Sequence, residues 1–269
     1  MDGNEAAAVS ERMIARKDGP IGWIVFNNPD RRNAVSLDMW RSIPVILDDY
    51  EADPAVRVIV LRGAGDKAFV SGADISEFET ARASAEAVEQ YDAISGAAMA
   101  RLEKAKKPTI AMVQGFCIGG GVAVALACDL RIAAESARFG VPAAKLGLGY
   151  RAGGIKKLMD IVGPAFVKEI FFTARQFGAA EALRIGLVNQ TAPEAELESF
   201  VRGYAETIAA NAPLTVGSVK EIVAELLHAG DGYDRENCER LVAECFASED
   251  YIEGRRAFME KRKPVFRGR

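Results

Sequence analysis

The segment from Pro108 to Cys128, "PTIAMVQGFCIGGGVAVALAC", carries no charged residue, and three consecutive glycines sit inside it. It is long enough to raise the question of a membrane span. Gln114, the opening Pro108 and the triplet Gly119–Gly121 argue instead for a buried strand that turns directly into a buried helix. Few folds bury a strand and the next helix so completely. Parallel α/β folds do, because helices cover their sheets on the outside.

The neighbouring segments repeat that grammar. "GWIVFN" (Gly22–Asn27) reads as a strand closed by the turn signal "NPD", and "SLDMWRSIPVILDDYEA" from Ser36 as a helix containing Pro44. "VRVIVLRG" (Val56–Gly63) is a continuous apolar strand, followed by a long Gly-rich loop, "GAGDKAFVSGADISEF". An amphipathic helix is expected from about Glu86 to Lys106, strands at "PTIAMVQG" and "LRIAA", a helix over Gly119–Cys128, and a last strand at "GLVNQ" (Gly186–Gln190). Strand–crossover–strand spacing of this kind predicts parallel sheets. From about Pro193 onward only helices are legible, so a boundary is expected near residues 191–211. The working division is a core of residues 1–200 and a helical segment of residues 201–269, a size that one large domain plus an appendage accommodates.

Several functions are excluded early. The net charge of −4 offers no footprint for nucleic acid or an anionic membrane. The four cysteines (Cys117, Cys128, Cys238, Cys245) show no CxxC spacing and His228 is the single histidine, so neither a metal site nor a Ser-His-Asp or Cys-His device is expected. "GLGYRA" (Gly147–Ala152) fits a dinucleotide pattern only formally, because no strand precedes it. The opening residues lack the apolar core of a signal peptide, and the expectation is a soluble cytoplasmic protein with reduced thiols. The basic cluster in the tail "EKRKPVFRGR" reads either as a solvated end or as an anion contact.

The glycines themselves have two readings. A strand passing straight into a helix leaves unpaired N–H groups at the helix N-terminus, suited to an anion or a developing oxyanion. Alternatively, they only let helix and strand approach closely. A second Gly-rich turn after an apolar strand, "VSGAD", would let two N–H donors converge on one oxygen.

Taken in order, "FNNPDRRNAVS", "KAFVSGADISEF", "KPTIAMVQGFCIGGGVAVALACDLRIAAESARFGVP", "ARQFGAAEALRIGLVN" and "AFMEKRKPVF" resemble the crotonase (enoyl-CoA hydratase/isomerase) superfamily. The resemblance implies an α/β fold, a spiral of ββα units with a C-terminal helical trimerisation segment. It implies an acyl-CoA substrate, with coenzyme A as part of the substrate, no permanently bound cofactor, and assembly as a homotrimer or dimer of trimers. The oxyanion N–H groups would come from Ala73 and Gly120. CoA contacts would fall on Arg31, Arg32, Ala34, Ser71, Asp74 and Ile75, with Lys263 reaching a CoA phosphate, on a neighbouring subunit in one version.

The sequence departs from that pattern where hydratases carry two glutamates, since Ala123 and Ala143 stand there. Alanine cannot move a proton, and general acid–base catalysis contributes about 10²–10⁴ per group. Tyr150 and Arg151 replace a Pro-Gly pair, and around Tyr150 the chain resembles methylmalonyl-CoA decarboxylases. Decarboxylation needs no base, and Arg151 could clamp a substrate carboxylate. Lys145 reads as structural. Three readings remain: a hydratase/isomerase-type enzyme, a malonyl-type decarboxylase using Tyr150 and Arg151, and an acyl-CoA-binding homologue without chemistry.

Overall fold

The structure, a computed structural model, describes residues 9–74, 85–228, 232 and 234–269. Strands β1 (Met13–Asp18) and β2 (Ile21–Phe26) form an antiparallel hairpin whose turn has Gly19 at φ 57°. Helix α1 (Leu37–Ala52) follows and buries Met39, Trp40, Ile43, Ile46, Leu47 and Tyr50, the stripe its 3.6-residue period dictates. The Tyr50 hydroxyl reaches into the hairpin and donates to the Trp23 carbonyl at 2.7 Å.

From there the chain winds in repeated turns. Strand β3 (Val58–Gly63) is followed by the short β4 (Ala68–Val70) and helix α2 (Ala85–Glu103). Strand β5 (Thr109–Val113) is followed by β6 (Phe116–Ile118) and α3 (Gly120–Ala127). Strand β7 (Leu130–Ala134) is followed by β8 (Arg138–Gly140) and α4 (Ala152–Thr173). The first strand of each turn adds to one sheet and the second to another. With β9 (Phe177–Gly178) and β10 (Gln190–Ala192), the two sheets run β1-β2-β3-β5-β7-β10 and β4-β6-β8-β9. All pairings from β2 to β10 through the first sheet are parallel. This is a ββα spiral, and one continuous apolar core fills it.

Helix α5 (Ala179–Arg184) precedes β10, and α6 (Leu197–Ala209) lies across the first sheet with Leu197, Val201 and Ala205 buried. The expected division at residues 200/201 therefore falls inside a helix that packs on the core. Helices α7 (Pro213–His228), α8 (Arg235–Ala247) and α9 (Glu249–Met259) follow, α8 packing on α7 and α9 on α8.

Three expectations shift. β1 is a strand that the sequence does not predict: its side chains are mostly exposed, and it holds its place through backbone pairing with β2. The last strand falls at Gln190–Ala192, not Gly186–Gln190. Leu187 and Val188 are buried in the turn that closes α5, where both N–H groups donate to the Ala182 carbonyl. The short strand β4 lies inside the expected Gly-rich loop, and β6 and β8 lie where no separate strand is expected, since three residues carry too little pattern.

Candidate active site

The two Gly-rich turns meet. Val35 and Ala73 form an isolated parallel bridge: the Val35 N–H donates to the Gly72 carbonyl at 2.9 Å, and the Asp74 N–H donates to the Val35 carbonyl at 3.0 Å. In a parallel bridge the flanking residues use their polar groups on the partner strand, so the Ala73 N–H points the other way. On that side stands Gly120, where a β-carbon would lie 3.5 Å from the Ala73 nitrogen. Gly120 is the first residue of α3, so its own N–H has no intrahelical acceptor. Among the described residues no acceptor meets either N–H.

Each glycine of the triplet has a separate reason. Gly119 turns the chain at φ 54°, ψ −108°, a conformation that side chains rarely adopt, with its N–H donating to the Gly140 carbonyl at 2.9 Å. Gly120 leaves open the space in front of Ala73. A β-carbon on Gly121 would lie 2.0 Å from the Val70 carbonyl oxygen, so α3 can rest against β4 only with glycine there. Gly119 and Gly121 are therefore required by backbone conformation and packing, and Gly120 by neither.

The expected CoA contacts gather beside this pair. Arg31 ends a 3-10 turn (Pro29–Arg31), and Arg32 follows at φ 51° with its guanidinium 5.2 Å from the centre of the Phe116 ring. The Ser71 hydroxyl donates to the Arg31 carbonyl at 3.2 Å, and the Ser71 N–H to the Arg32 carbonyl at 3.1 Å. Arg31, Arg32, Ala34, Ser71 and Asp74 thus lie along one seam that ends at Ala73. An adjoining cavity of 480 Å³ is lined by Asp30, Arg32, Asn33, Asp66 and Lys67, among others. Ile75 lies outside the described residues. Lys263 sits on the C-terminal tail, which docks near Arg57, just before β3, whereas the two Gly-rich turns follow the far ends of the strands.

The two alanines flank the Gly119 turn. Ala123 lies in the first turn of α3 and donates its N–H to the Gly119 carbonyl at 3.2 Å. Ala143 is buried and opens a 3-10 turn (Ala143–Leu146) just after Pro142, whose Cδ would lie 4.0 Å from a β-carbon on Gly119. Tyr150 packs edge-to-face on Phe171 at 4.8 Å, and burial raises its hydroxyl above the usual 10.0. Arg151, in the N-cap position of α4, is 81% exposed and ion-paired to Asp92 of α2 at 2.5 Å. The hydrogen bond to Asp92 and the charges of Asp92 and Glu89 raise its pKa.

Sequence reasoning passed over Asn33, Asp92 and Arg131. Asn33 lies within "FNNPDRRNAVS", where nothing local marks its amide as structural. Asp92 has no signal beyond being an acid on an amphipathic helix. Arg131 is buried and donates to the Leu187 and Cys128 carbonyls at 2.8 Å and to Ala125 at 3.3 Å. Arginine in the middle of an apolar strand is its only sequence signal.

The family model for enoyl-CoA hydratase/isomerase matches residues 16–269. The chain belongs to the enoyl-CoA hydratase/isomerase family. It is 36% identical to the short-chain-enoyl-CoA hydratase of Clostridium acetobutylicum, over 93% of this chain and 95% of that protein. It is 35% identical to the carnitinyl-CoA dehydratase of Escherichia coli O157:H7, over 97% of this chain and the whole of that protein. The crystal structure of an enoyl-CoA hydratase/carnithine racemase from Magnetospirillum magneticum superposes with a TM-score of 0.92 at 35% identity, covering 97% of each chain. Crotonase membership and the spiral fold thus agree with the sequence reading. Among the described residues no helix is long and apolar enough to cross a membrane.

Proposed function

We propose that this chain is an enzyme that binds an acyl-CoA thioester and stabilises its enolate between the N–H groups of Ala73 and Gly120. The observation that carries the reading is that two unpaired N–H groups stand side by side, one turned away from the Val35 bridge and the other freed at a helix start, with a β-carbon on Gly120 placed 3.5 Å from the Ala73 nitrogen. A carbonyl oxygen 2.7–3.1 Å from both would gain charge-assisted hydrogen bonds as the enolate forms, each worth about 10²–10³ in rate. The hydratase and dehydratase relatives support an acyl-CoA substrate. The Arg31–Arg32 turn and Ser71, Asp74 and Ile75 would hold its CoA portion, with Lys263 serving the site of a neighbouring subunit in a trimer or a dimer of trimers.

With Ala123 and Ala143 flanking the Gly119 turn, efficient hydration of a plain enoyl thioester is not expected of this site. A second reading follows from Tyr150 and Arg151. In a malonyl-type thioester the bond to the carboxylate carbon breaks, its electron pair enters the enolate held by Ala73 and Gly120, and carbon dioxide leaves. The α-carbon then takes a proton, for which Tyr150 is a candidate donor. Arg151 would have to exchange Asp92 for the substrate carboxylate, which its exposure permits.

Crotonyl-CoA and methylmalonyl-CoA assayed side by side separate these readings. Hydration at kcat/KM of about 10⁶ M⁻¹s⁻¹ or more would overturn the account of the two alanines. Carbon dioxide release lost selectively in Arg151→Met would establish the clamp. Tight acyl-CoA binding without product from any thioester would leave a binding protein.

A further inference from the structure

We infer that Asn33 is a positioning residue, whose side chain locks the turn of residues 28–35 and through it aims the Ala73 N–H. The inference rests on the enolate reading above.

Asn33 is 1% exposed and sits at φ 57°, directly after Arg32 at φ 51°. Two consecutive left-handed residues without glycine need fixed partners, and asparagine is among the few residues that tolerate the conformation. Every polar atom of the Asn33 amide is used. Its Oδ1 accepts from the Asn28 N–H at 3.1 Å, and its Nδ2 donates to the Ala64 carbonyl at 3.0 Å and the Ala68 carbonyl at 2.7 Å. One side chain therefore ties the start of its own turn to the end of β3 and the start of β4. A β-carbon on Gly63 would lie 2.1 Å from the Ala68 carbonyl oxygen and 2.5 Å from Nδ2, so glycine there lets β4 and the Asn33 amide approach this closely.

The consequence travels two residues along the chain. With Asn33 fixed, Ala34 is held by Asn28, whose Nδ2 donates to the Ala34 carbonyl at 3.0 Å. Val35 then meets Gly72 and Asp74 in the bridge that turns the Ala73 N–H toward Gly120. The same turn carries Arg31 and Arg32 and is stitched to Ser71. A slip of the turn would move the CoA contacts and one oxyanion donor together. A misplacement of about 1 Å can cost about 10²-fold in rate.

Two variants test this. Asn33→Asp keeps the shape but sets a carboxylate against two carbonyl oxygens; Asn33→Gly keeps the backbone conformation and deletes the amide. The readout is the ¹³C chemical shift of a carbonyl-labelled butyryl-CoA bound to each protein, alongside turnover and melting temperature. Wild type is expected to polarise the carbonyl, and both variants to lose much of that shift and about 10²-fold in turnover. Asn189→Ala, which removes the acceptor of the Arg131 N–H, serves as a destabilised control expected to keep the shift. Variants that retain the wild-type shift overturn the inference alone. No polarisation in wild type overturns the enolate reading beneath it. An equal loss in the control, or failure of both variants to fold, makes Asn33 a folding residue and overturns the positioning role.

Discussion

Gly120 and Gly121 are neighbours with opposite burdens. A β-carbon on Gly120 meets only ordinary contacts, the nearest at 3.5 Å, but it stands in front of the Ala73 N–H. Gly120→Ala is therefore expected to fold with a melting temperature close to wild type and to lose about 10²-fold or more in turnover. Gly121→Ala places a methyl 2.0 Å from the Val70 carbonyl and must push α3 off β4. A destabilisation of about 1–3 kcal/mol is expected in denaturant unfolding. Similar unfolding midpoints for the two variants would contradict this division of labour. Ala123 and Ala143 provide the converse test. Glutamate restored at both positions is expected to raise crotonyl-CoA hydration, and an unchanged hydration rate would mean that the surrounding geometry has also changed.

At the scale of elements, α3 is held at both ends. Its N-terminus presents Gly120, and its C-terminal carbonyls at Ala125 and Cys128 accept from the buried guanidinium of Arg131, which also bonds Leu187 ahead of β10. A cation at a helix C-terminus is favoured by the helix dipole as well as by the hydrogen bonds. Burial lowers the pKa of Arg131, and arginine side chains keep their charge in proteins. Arg131→Met leaves these carbonyls without their donor and is expected to cost about 3 kcal/mol in denaturant unfolding. A change below about 0.5 kcal/mol, the range of surface substitutions, would show that water replaces the guanidinium. The kink in α4 has a plain cause: Gly163 at φ 78° precedes Pro164, which cannot continue the hydrogen-bond ladder.

For the molecule as a whole, α7–α9 leave apolar side chains in solvent, with Phe246 61%, Phe258 83% and Met259 81% exposed. A surface of this kind is a strong candidate for contact between copies of the chain. Light scattering is expected to give a trimer or hexamer, and Phe258→Glu to shift it toward smaller species. A wild-type monomer at micromolar concentration would refute the assembly. The tail beyond α9 is strapped down by carboxylates. Asp250 accepts from the Arg267 and Gly268 N–H groups at 2.6 and 2.7 Å, and Glu253 pairs with Arg262 and accepts from the Val265 N–H. The Arg262 hydrogen bond, followed by that of Val265, holds Glu253 down at about 2 against the usual 4.5. A depressed carboxylate stabilises fully above 4.5 and loses that contribution as pH falls toward 2. Hydrogen exchange at the tail amides should thus stay protected at pH 5 and open between about 4.5 and 2. In Glu253→Gln the Arg262 pairing is already weakened at pH 5, and equal protection in the two proteins there would remove Glu253 from the strap.

How much of this was legible follows from what each element depends on. The long buried strands, helices α1, α2 and α3 and the helical C-terminus are readable because hydrophobic period and glycine placement are local properties, whereas α4 and α5 carried no expectation. Ordered motifs such as "SGAD" and "GGG" carried the family, and with it the expected Ala73–Gly120 pair. The short strands β4, β6 and β8 were not readable, since three residues are fixed by the neighbours they pair with and not by their own pattern. Asn33 and Arg131 escaped for the same reason: the amide acquires its meaning from the Ala64 and Ala68 carbonyls and the guanidinium from that of Leu187, all distant in the chain. The sequence by itself determined the spiral's repeating grammar and the absence of glutamate at residues 123 and 143. Tertiary structure alone decided that the two glycine turns face each other, because a hydrogen-bond donor's direction is set by the pairing of the strand behind it.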